Sequence, residues 1–404
     1  MLYNLAIVLY DIVIHLAAPF SRKPRKMMKG HWVVYELLRQ QVEKDVRYIW
    51  FHAASLGEFE QGRPLIEKIR EKYPDYKILL TFFSPSGYEV RKNYRGADIV
   101  CYLPFDKPRN VKKFLDIINP CMAFFIKYEF WKNYLDEMHR RRIPVYSVSS
   151  IFRREQIFFK WYGGAYRDVL KDFDHLFVQN ETSKRYLSKI GITRVTVVGD
   201  TRFDRVFQEE AKYLPLVEKF KAHSPTFVAG SSWGPDEDLF LEYFNTHPEM
   251  KLIIAPHVID ENHLVEIIGK LKRPYVRYTR ADEKNVLKAD CLIIDCYGLL
   301  SSIYRYGEIA YIGGGFGVGI HNTLEAAVYG IPVIFGPKYQ KFMEAVQLLE
   351  AKGAYSIKNY EELEALLDRL FSDKAFLSET GANAGYYVTS NAGATERILH
   401  MINF

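Results

Sequence analysis

The chain has 404 residues, of which 48% are hydrophobic, 15% aromatic and 26% charged, with a formal net charge of +6. This length allows two domains with large cores. The mild positive charge argues against a dedicated nucleic-acid binder and suits anionic substrates or an anionic lipid surface. The four cysteines include no C-x-x-C pair, and no histidine lies at zinc-finger spacing. We interpret them as thiols of a reducing compartment and expect no structural metal.

An apolar stretch opens the chain. Residues 1–20 are about long enough to span a bilayer, but Asp11 and His15 interrupt them, so an interfacial helix or a helix buried against the fold are the alternatives. The stretch is followed directly by five cations, Arg22, Lys23, Arg25, Lys26 and Lys29. A cleaved signal peptide would carry its charges before the apolar run, and the positive-inside rule directs this flank to the cytoplasm. The sequence therefore predicts a membrane-associated helix with a basic flank over residues 1–30.

From residue 46 onward, short apolar runs alternate with amphipathic stretches, which is the rhythm of a parallel sheet with helices on both faces. The strands predicted in the first half are VRYIWFHAAS, YKILLTFFSPS, DIVCYLP, PCMAFFIKYEFW, IPVYSVSSIF, HLFVQNE and VTVVGDTRFD. Residues 205–225 are predicted as a connecting helix and linker. The rhythm then restarts with PTFVAGSSW, MKLIIAPHV, PYVRYTR, DCLIIDCYG, EIAYIGGG, IPVIFG and GAYSI. Two α/β halves are therefore expected, each binding ligands at the carboxyl ends of its strands.

The strongest local pattern is AYIGGGFGVGIHNTLEAAVYGIPVIFGP at residues 310–337. A predicted strand ends in three glycines that include Gly314 and Gly315, and a helix is predicted to begin near Asn322. Glycines allow the backbone to approach a ligand closely, and the free N–H groups of a helix start favour a phosphate. Glu325 in the first turn could accept hydrogen bonds from ribose hydroxyls. The order of these features favours an anion-binding site over a merely capped helix, although it matches neither a Walker loop nor a dinucleotide motif.

A second pattern is FHAASLGEFEQGRP at residues 51–64. Small residues that include Ser55 and Gly57 follow the first strand, and Glu58 starts a helix. A carboxylate in a first turn is favoured by the helix dipole, which gives Glu58 a simple capping interpretation. It also has a functional interpretation, because deprotonating a sugar hydroxyl requires a carboxylate within hydrogen-bond reach. The spacing leaves both interpretations open.

Other strand ends carry weaker candidates. Glu129 follows an apolar run and is either a carboxylate near the ligand or a helix starter. Arg202 could stabilise a departing phosphate or lie on the surface. Ser231 opens a helix and is a possible anion contact, and His257 is either a ligand contact or a structural histidine.

Two acidic triplets have the D-x-D form that can hold a metal. Asp172-Phe173-Asp174 precedes a predicted strand instead of following it, and Asp236-Glu237-Asp238 lies in a first helical turn, where acids are expected anyway. No catalytic metal is therefore predicted.

Taken together, these turns resemble those of the 3-deoxy-D-manno-octulosonic acid (Kdo) transferases over nearly the whole chain after about residue 45. The similar segments, in family order, are FHAASLGEFEQGRPLI, LTFFSPSGYE, LPFDKPRNVKKFLDIINP, IKYEFWKN, IPVYSVSSIF, GDTRFD, IAPH, DCYGLL and YIGGGFGVGIHNTLEAAVYGIPVIFGP. The N-terminal apolar helix also looks like the family's membrane anchor.

The resemblance implies an α/β fold of GT-B type, with two Rossmann-like doubly wound domains facing across a cleft and an N-terminal membrane-associated helix. The expected divisions are the helix and basic flank at 1–30, an acceptor-binding domain at 31–204, a linker at 205–225 and a nucleotide-sugar-binding domain at 226–404. The implied reaction is inverting transfer of Kdo from CMP-Kdo to a phosphorylated lipid A precursor in lipopolysaccharide biosynthesis. Neither a metal nor another cofactor is implied. The implied place is the bacterial inner membrane, with the catalytic domains on its cytoplasmic face.

The resemblance also implies roles for single residues. Glu58 matches the family's catalytic base, Glu129 the second carboxylate of an E-T-E-L-W-like segment, and Arg202 a position that usually holds Lys. The CMP contacts would be Pro256, His257, Cys296, Tyr297, Gly298, Asn322, Thr323, Leu324 and Glu325. There are departures from the family pattern: Lys127 replaces the first acid of E-T-E-L-W, and the segment that usually reads P-R-H lacks its Arg here.

Two other classes of protein remain as alternatives. One is another GT-B enzyme that uses a UDP-sugar, either a transferase or an epimerase, and CMP-specific binding would separate it from a Kdo transferase. The other is a non-catalytic membrane-bound partner protein that keeps the fold, which a Glu58→Gln variant would test. The sequence leaves the oligomeric state open.

Overall fold

The computed structural model describes residues 2–208 and 212–404. The chain divides into two compact units, the first ending at Arg205 and including Ala392–Phe404, and the second running from Val206 to Asn391. Residues 209–211 of the expected linker lie outside the described residues. The second domain was expected to reach residue 404, whereas the last segment of the chain belongs to the first unit.

Two helices precede the first sheet, α1 (Leu2–Ala17) and α2 (Arg22–Gln41), and they are bent by 116° relative to each other. The basic cluster expected as a flank forms the first turns of α2, which buries Met27, Val34 and Leu38. In the described chain, no one helix has both the length and the apolar character to cross a bilayer, but the bent pair satisfies that test jointly.

The first unit contains a parallel sheet of seven strands in the order β3-β2-β1-β4-β5-β6-β7. Its strands are β1 (Tyr48–Ala53), β2 (Lys77–Phe82), β3 (Ile99–Tyr102), β4 (Met122–Ile126), β5 (Val145–Ser150), β6 (His175–Val178) and β7 (Val195–Val197). The helices between and after them are α3 (Leu56–Lys72), α4 (Pro85–Arg91), α5 (Pro108–Ile118), α6 (Lys132–Arg140), α7 (Gly164–Lys171), α8 (Glu181–Lys189) and α9 (Arg202–Gln208).

The second unit repeats this plan, with a parallel sheet in the order β10-β11-β9-β8-β12-β13-β14. Its strands are β8 (Thr226–Ser232), β9 (Lys251–Pro256), β10 (Tyr275–Arg277), β11 (Cys291–Ile293), β12 (Ile309–Ile312), β13 (Val333–Phe335) and β14 (Ala354–Ser356). Its helices are α10 (Pro215–Lys221), α11 (Gly234–Thr246), α12 (Glu261–Lys270), α13 (Leu300–Ile303), α14 (Leu324–Ala327), α15 (Met343–Glu350), α16 (Tyr360–Ser372) and α17 (Lys374–Asn391). Each strand predicted from the sequence has a counterpart, so the expected α/β class with two doubly wound sheets is confirmed.

The strands read as continuous apolar runs because both faces of each sheet are covered. Along β1, Trp50 packs into one core cluster with Phe125, and its neighbour Phe51 packs into the other with Phe124. All six β1 side chains are buried. A central parallel strand has this property, because it has no solvent-facing side. The last helix, α18 (Ala394–Leu399), covers the same face of the sheet as Phe51.

Candidate active site

In the first unit, the two predicted catalytic carboxylates, Glu58 and Glu129, lie just after the ends of β1 and β4. These strands are neighbours in the sheet, so their carboxyl ends lie side by side. Ser55 caps α3, its N–H donating to Glu58 Oε2 at 3.0 Å and its hydroxyl lying 3.3 Å from the same atom. Glu58 is half-buried, and this burial raises the pKa of its carboxyl, with the nearby charge of Glu129 raising it further. His52, Ser55 and Lys127 oppose that rise.

Glu129 is nearly buried and is held from two sides. The indole N–H of Trp131 donates to Glu129 Oε2 at 2.6 Å, and His52 Nε2 lies 3.0 Å from the same oxygen. His52 is fully buried, and its other ring nitrogen lies 2.9 Å from Thr81 Oγ1. Sequence reasoning missed His52. Its signal was a polar side chain within the otherwise apolar strand YIWFHA, whose partner only tertiary structure could supply.

Lys127, which replaces an acid of the related family's motif, has a backbone φ of +68°. A non-glycine residue in this region is strained by about 1–3 kcal/mol and persists where its surroundings fix it. Here the Lys127 N–H donates to Val148 O at 2.8 Å, and the Ser150 hydroxyl donates to Lys127 O at 2.8 Å. The charge of Lys127 reaches Glu58, whose pKa it lowers.

Arg202 follows β7, at the far edge of the sheet, but it is tied back toward Glu58. Its guanidinium donates from Nε to Asp200 Oδ2 at 2.9 Å, and its terminal nitrogen lies 2.8 Å from the same oxygen. The buried Asp200 also accepts from Gln61 Nε2 at 3.3 Å. Gln61 lies on α3 one turn after Glu58, so Asp200 links the predicted cation to the helix that carries the predicted base. Asp200 was not singled out in the sequence.

In the second unit, the predicted residues lie at or after the ends of four strands that are contiguous in the sheet, in the order β11, β9, β8 and β12. Their carboxyl ends therefore meet at one edge. In that strand order, the predicted residues are Cys296, Tyr297 and Gly298, then Pro256 and His257, then Ser231, and then Gly314, Gly315, Asn322, Thr323, Leu324 and Glu325. Pro256 is the last residue of β9, and Ser231, which was expected to open a helix, lies within β8, because α11 begins only at Gly234.

Aromatic rings line this edge. His257 stacks on Trp233, at a centroid distance of 4.7 Å, and on His321, at 4.3 Å. The Trp233 indole N–H donates to His321 Nε2 at 3.2 Å. An indole nitrogen can only donate, so His321 is neutral with its proton on Nδ1. This agrees with its pKa, which burial and then His257 lower to about 4. The Tyr297 hydroxyl accepts from the Ile259 N–H at 3.4 Å, close in sequence to His257.

The glycine-rich turn is more compact than the sequence suggested. A Cβ on Gly315 would lie 2.6 Å from the Gly336 backbone, and one on Gly314, whose φ is +93°, would lie 2.3 Å from Gly319 O. These glycines are thus required by packing of the strand ends themselves. The helix expected near Asn322 is α14, which has only four residues, so its dipole contributes less than a longer helix would. The first N–H of α14, on Leu324, donates to Asn322 Oδ1 at 3.1 Å.

The acidic triplet at Asp236 has a structural use. The Asp236 carboxylate accepts from Gly314 N at 2.8 Å, from the Tyr311 hydroxyl at 2.9 Å and from Trp233 N at 3.0 Å. It therefore fixes the glycine-rich turn to the start of α11. Over residues 2–208 and 212–404, no three His, Cys, Asp or Glu side chains group as metal ligands would.

The chain is similar to known proteins. Residues 29–205 match the family described as 3-deoxy-D-manno-octulosonic-acid transferase (kdotransferase). The chain is 29% identical to the 3-deoxy-D-manno-octulosonic acid transferase of Aquifex aeolicus, over 81% of this chain and 86% of the relative. It is 25% identical to the protein of the same description from Haemophilus influenzae, over 88% and 86%.

A similar fold occurs in the crystal structure of UDP-GlcNAc 2-epimerase from Neisseria meningitidis bound to UDP-GlcNAc. The TM-score is 0.60 at 14% identity, over 87% of this chain and 98% of that one. So low an identity shows a shared fold alone. The two parallel seven-stranded sheets give the chain the GT-B type of fold, and the proteins that it resembles, over residues 29–205 and over most of its length, are Kdo transferases.

Proposed function

We propose that the protein is an inverting glycosyltransferase that moves Kdo from CMP-Kdo to a phosphorylated lipid A precursor in lipopolysaccharide biosynthesis. The hydroxyl oxygen of the acceptor attacks the anomeric carbon, the bond from that carbon to the phosphate oxygen breaks, and CMP departs with the bonding electrons. Glu58 takes the proton of the hydroxyl. The observation that carries this proposal is the half-buried Glu58 carboxylate, whose pKa is raised by burial and by Glu129.

A general base works best when its pKa lies near the operating pH. An exposed glutamate is too weak a base for that task, so burial beside a second carboxylate is a suitable environment. Glu129 provides this charge and is held in place by Trp131 and His52. We assign Glu129 to electrostatic stabilisation of the donor carbon, which becomes positive as CMP leaves.

The departing phosphate needs a cation. Arg202 is held by Asp200, which itself contacts α3, and Lys127 lies within electrostatic reach of Glu58. Fixed guanidinium and ammonium groups stabilise a developing anion without reorganising at the moment of reaction. In this proposal they provide the positive charge, and no catalytic metal takes part.

The donor nucleotide is assigned to the second unit, at the ends of β8, β9, β11 and β12. The exposed His257 ring, stacked on Trp233 and His321, offers a flat surface, and Asn322 with Glu325 offers amide and carboxylate groups for ribose hydroxyls. The proposed contacts are Ser231, Pro256, His257, Cys296, Tyr297, Gly298, Gly314, Gly315, Asn322, Thr323, Leu324 and Glu325, with Ser55 and Gly57 assigned to the acceptor side.

The proposed acceptor is a lipid, and the exposed face of α1 supports binding of the protein to a membrane surface. One face of α1 is held on the first unit, where the Tyr3 hydroxyl donates to Asp106 at 2.6 Å and Asp11 pairs with Lys107. The other face exposes apolar side chains, Leu5, Leu9, Ile12, Val13 and Leu16. An exposed apolar stripe beside the cations of α2 is typical of a helix in the plane of an anionic interface. The proposed location is the cytoplasmic face of the bacterial inner membrane.

Incubation with CMP-Kdo and a lipid A precursor, followed by mass analysis of the product, tests the proposal. A mass increase by one or more Kdo residues is expected, with calorimetric binding of CMP and much weaker binding of UDP. Tight UDP binding without CMP binding, or no Kdo on the product, would contradict the proposal and favour a GT-B enzyme that uses a UDP-sugar.

A further inference from the structure

A loop of the first unit presents bare aromatic side chains to solvent. Residues 151–163, here called the aromatic loop, connect β5 to α7. Near its end, Trp161 is 90% exposed and Tyr162 60% exposed, with their rings edge to face at 5.5 Å. Exposed apolar side chains are common singly, but adjacent exposed aromatic rings at the tip of a loop indicate a contact surface.

The aromatic loop is braced. Phe158 is buried and packs against Phe130 at a centroid distance of 5.1 Å. The guanidinium of Arg167 donates to Phe158 O at 2.8 Å and to Lys160 O at 2.6 Å. At Gly163 the backbone passes so close to Ile157 O that a Cβ would lie 1.9 Å from it. The loop is therefore held in a form that directs Trp161 and Tyr162 outward.

The charge of the loop fits one kind of partner. Arg153 and Arg154 are exposed and Lys160 precedes the aromatic pair, so the cations of the loop outnumber its one acid, Glu155. Tryptophan and tyrosine favour the headgroup level of a bilayer, where the ring is apolar and its polar tip stays wet. Neighbouring Arg and Lys side chains are attracted to anionic headgroups.

The aromatic loop also lies near the helix α1 and near the predicted carboxylate site, both of which are assigned to the lipid acceptor. At the amino end of α1, Asn4 Oδ1 accepts from Asn133 Nδ2 of α6 at 2.8 Å, and α6 packs against α7, the helix that follows the loop. Phe130, on which the loop packs, directly follows Glu129 in the chain. The loop thus connects the surroundings of the predicted carboxylate site with the exposed helix α1.

We propose that the aromatic loop is a second membrane-contact site, in which Trp161 and Tyr162 enter the headgroup region of an anionic bilayer. This inference rests on the proposed function, because it adds a second contact to the one assigned to α1. A helix alone can rotate about its axis in the interface. Two separate contacts fix the orientation of the first unit, and with it the position of Glu58 and Glu129 relative to the bilayer.

The test compares the intact protein with the double variant Trp161→Ala/Tyr162→Ala by co-sedimentation with phosphatidylcholine vesicles, with and without phosphatidylglycerol. Loss of the two rings should weaken partitioning onto the anionic vesicles by at least about tenfold, given their apolar area. A matched control is Tyr386→Ala, which removes a ring that is 74% exposed on α17 and should leave partitioning unchanged. Equal partitioning of the double variant and the intact protein would overturn the proposal.

A second measurement uses fluorescence, so that the proposal does not depend on a folded double variant. Anionic vesicles should shift the emission of the intact protein to shorter wavelength, and Trp161→Phe should reduce that shift, with Trp32, exposed on α2, contributing the remainder. An undiminished shift in Trp161→Phe would place the responding indole elsewhere and contradict the assignment.

Transfer assays separate this inference from the proposed function. The double variant should transfer Kdo to a detergent-dispersed acceptor at the wild-type rate and lose activity only on vesicle-embedded acceptor. Leu9→Glu/Leu16→Glu tests the α1 contact independently. If the intact protein binds vesicles through Trp161 but transfers no Kdo in detergent, the proposed function fails while the contact stands. If Kdo transfer occurs but vesicle binding does not depend on Trp161, the membrane-contact proposal is contradicted while the proposed function stands.

Discussion

The two oxygen atoms of the Glu58 carboxylate are assigned different roles, one in capping the helix and the other as the candidate base. Ser55 contacts Oε2 through both its N–H and its hydroxyl, so Oε1 can serve the substrate. The two interpretations of Glu58 that the sequence left open are therefore compatible. A cap fixes the side chain, and a fixed, partly desolvated carboxylate is what proton abstraction from a sugar hydroxyl requires.

The first prediction concerns Glu58→Gln, in which the side chain keeps its shape but cannot accept the proton. Transfer should fall by about 10²–10⁴-fold, the usual contribution of a general base. The thermal stability of the variant should increase, although its activity falls. Because the folded-state pKa of Glu58 is raised, the ionised carboxylate costs stability above that pKa, and the variant avoids this cost. Thermal unfolding should show a higher midpoint at pH 8 and a vanishing difference as the pH falls toward about 4.

Glu71→Gln is the matched control, because it removes an exposed carboxylate from the same helix and should leave both activity and midpoint nearly unchanged. A variant at Glu58 that keeps full activity would exclude it as the base. A lower midpoint at pH 8 would show that the cap outweighs the raised pKa.

At the level of single residues, the sequence predicted the functional residues that follow strand ends. It did not predict the buried residues that hydrogen-bond to them or to their helices. Glu58 and Glu129 stand in turns with a recognisable pattern. His52 and Asp200 are buried polar residues whose partners, Glu129 and Gln61, are 77 and 139 positions away in the chain. A local pattern carries no information about such distant pairs.

Among the elements, the glycine-rich turn depends on α11 for its shape. Three donors converge on the Asp236 carboxylate, from the start of α11, from β12 and from Gly314. The sequence suggested a metal-binding triplet or ordinary first-turn acids, and the structure supports a third role that ties a helix to a ligand-binding turn.

The second prediction compares two members of that triplet. Asp236→Asn replaces a carboxylate by a neutral amide, so the Gly314 and Trp233 N–H groups lose their charged acceptor and the Tyr311 hydroxyl must turn from donor to acceptor. The free energy of unfolding should fall by about 1–3 kcal/mol, and CMP binding, measured by calorimetry, should weaken several-fold because the turn loosens. Asp238→Asn alters an exposed acid of the same turn that pairs with Lys270, so its effect should stay within about 0.5 kcal/mol. Equal effects of the two substitutions would contradict the role given to Asp236.

Element boundaries could be predicted where the apolar period is long and clear. Each predicted strand is present; the segment YKILLTFFSPS, for example, contains β2 (Lys77–Phe82). The helix expected after the glycine-rich turn has a single turn in the structure. A run of helix-favouring residues, NTLEAAVYG, predicts a longer helix, but Gly330 with its φ of +68° ends the segment early.

For the whole molecule, the sequence predicts two α/β halves but not the unit on which the last segment of the chain packs. Ala394, Ile398, Leu399 and Ile402 join the core cluster of Ile49 and Phe51 in the first unit. Asp204 caps this segment by accepting from Thr395 N at 2.6 Å and from Gly393 N, and Arg397 donates to Val198 O at 3.0 Å. An amphipathic pattern shows that a helix buries one face, but it does not say which core receives it.

The third prediction follows from that connectivity. Truncation after Asn391 removes α18 from the first unit, and each buried Ile or Leu contributes about 1.5–3 kcal/mol, so this unit should lose several kcal/mol of stability. The second unit is one continuous segment with its own sheet and core. Hydrogen exchange followed by mass spectrometry should therefore show faster exchange in β1, β2 and β4, with β8, β9 and β12 unchanged.

Calorimetry on the truncated protein adds a functional readout, since CMP binding is assigned to the second unit and should survive truncation while transfer is lost. Met401→Ala in the full chain is the control, because that side chain is 47% exposed and its removal should alter neither exchange nor transfer. Uniformly faster exchange across both sheets, together with loss of CMP binding, would mean that the units fold as one cooperative block. The donor site would then depend on the last segment of the chain as much as the acceptor side does.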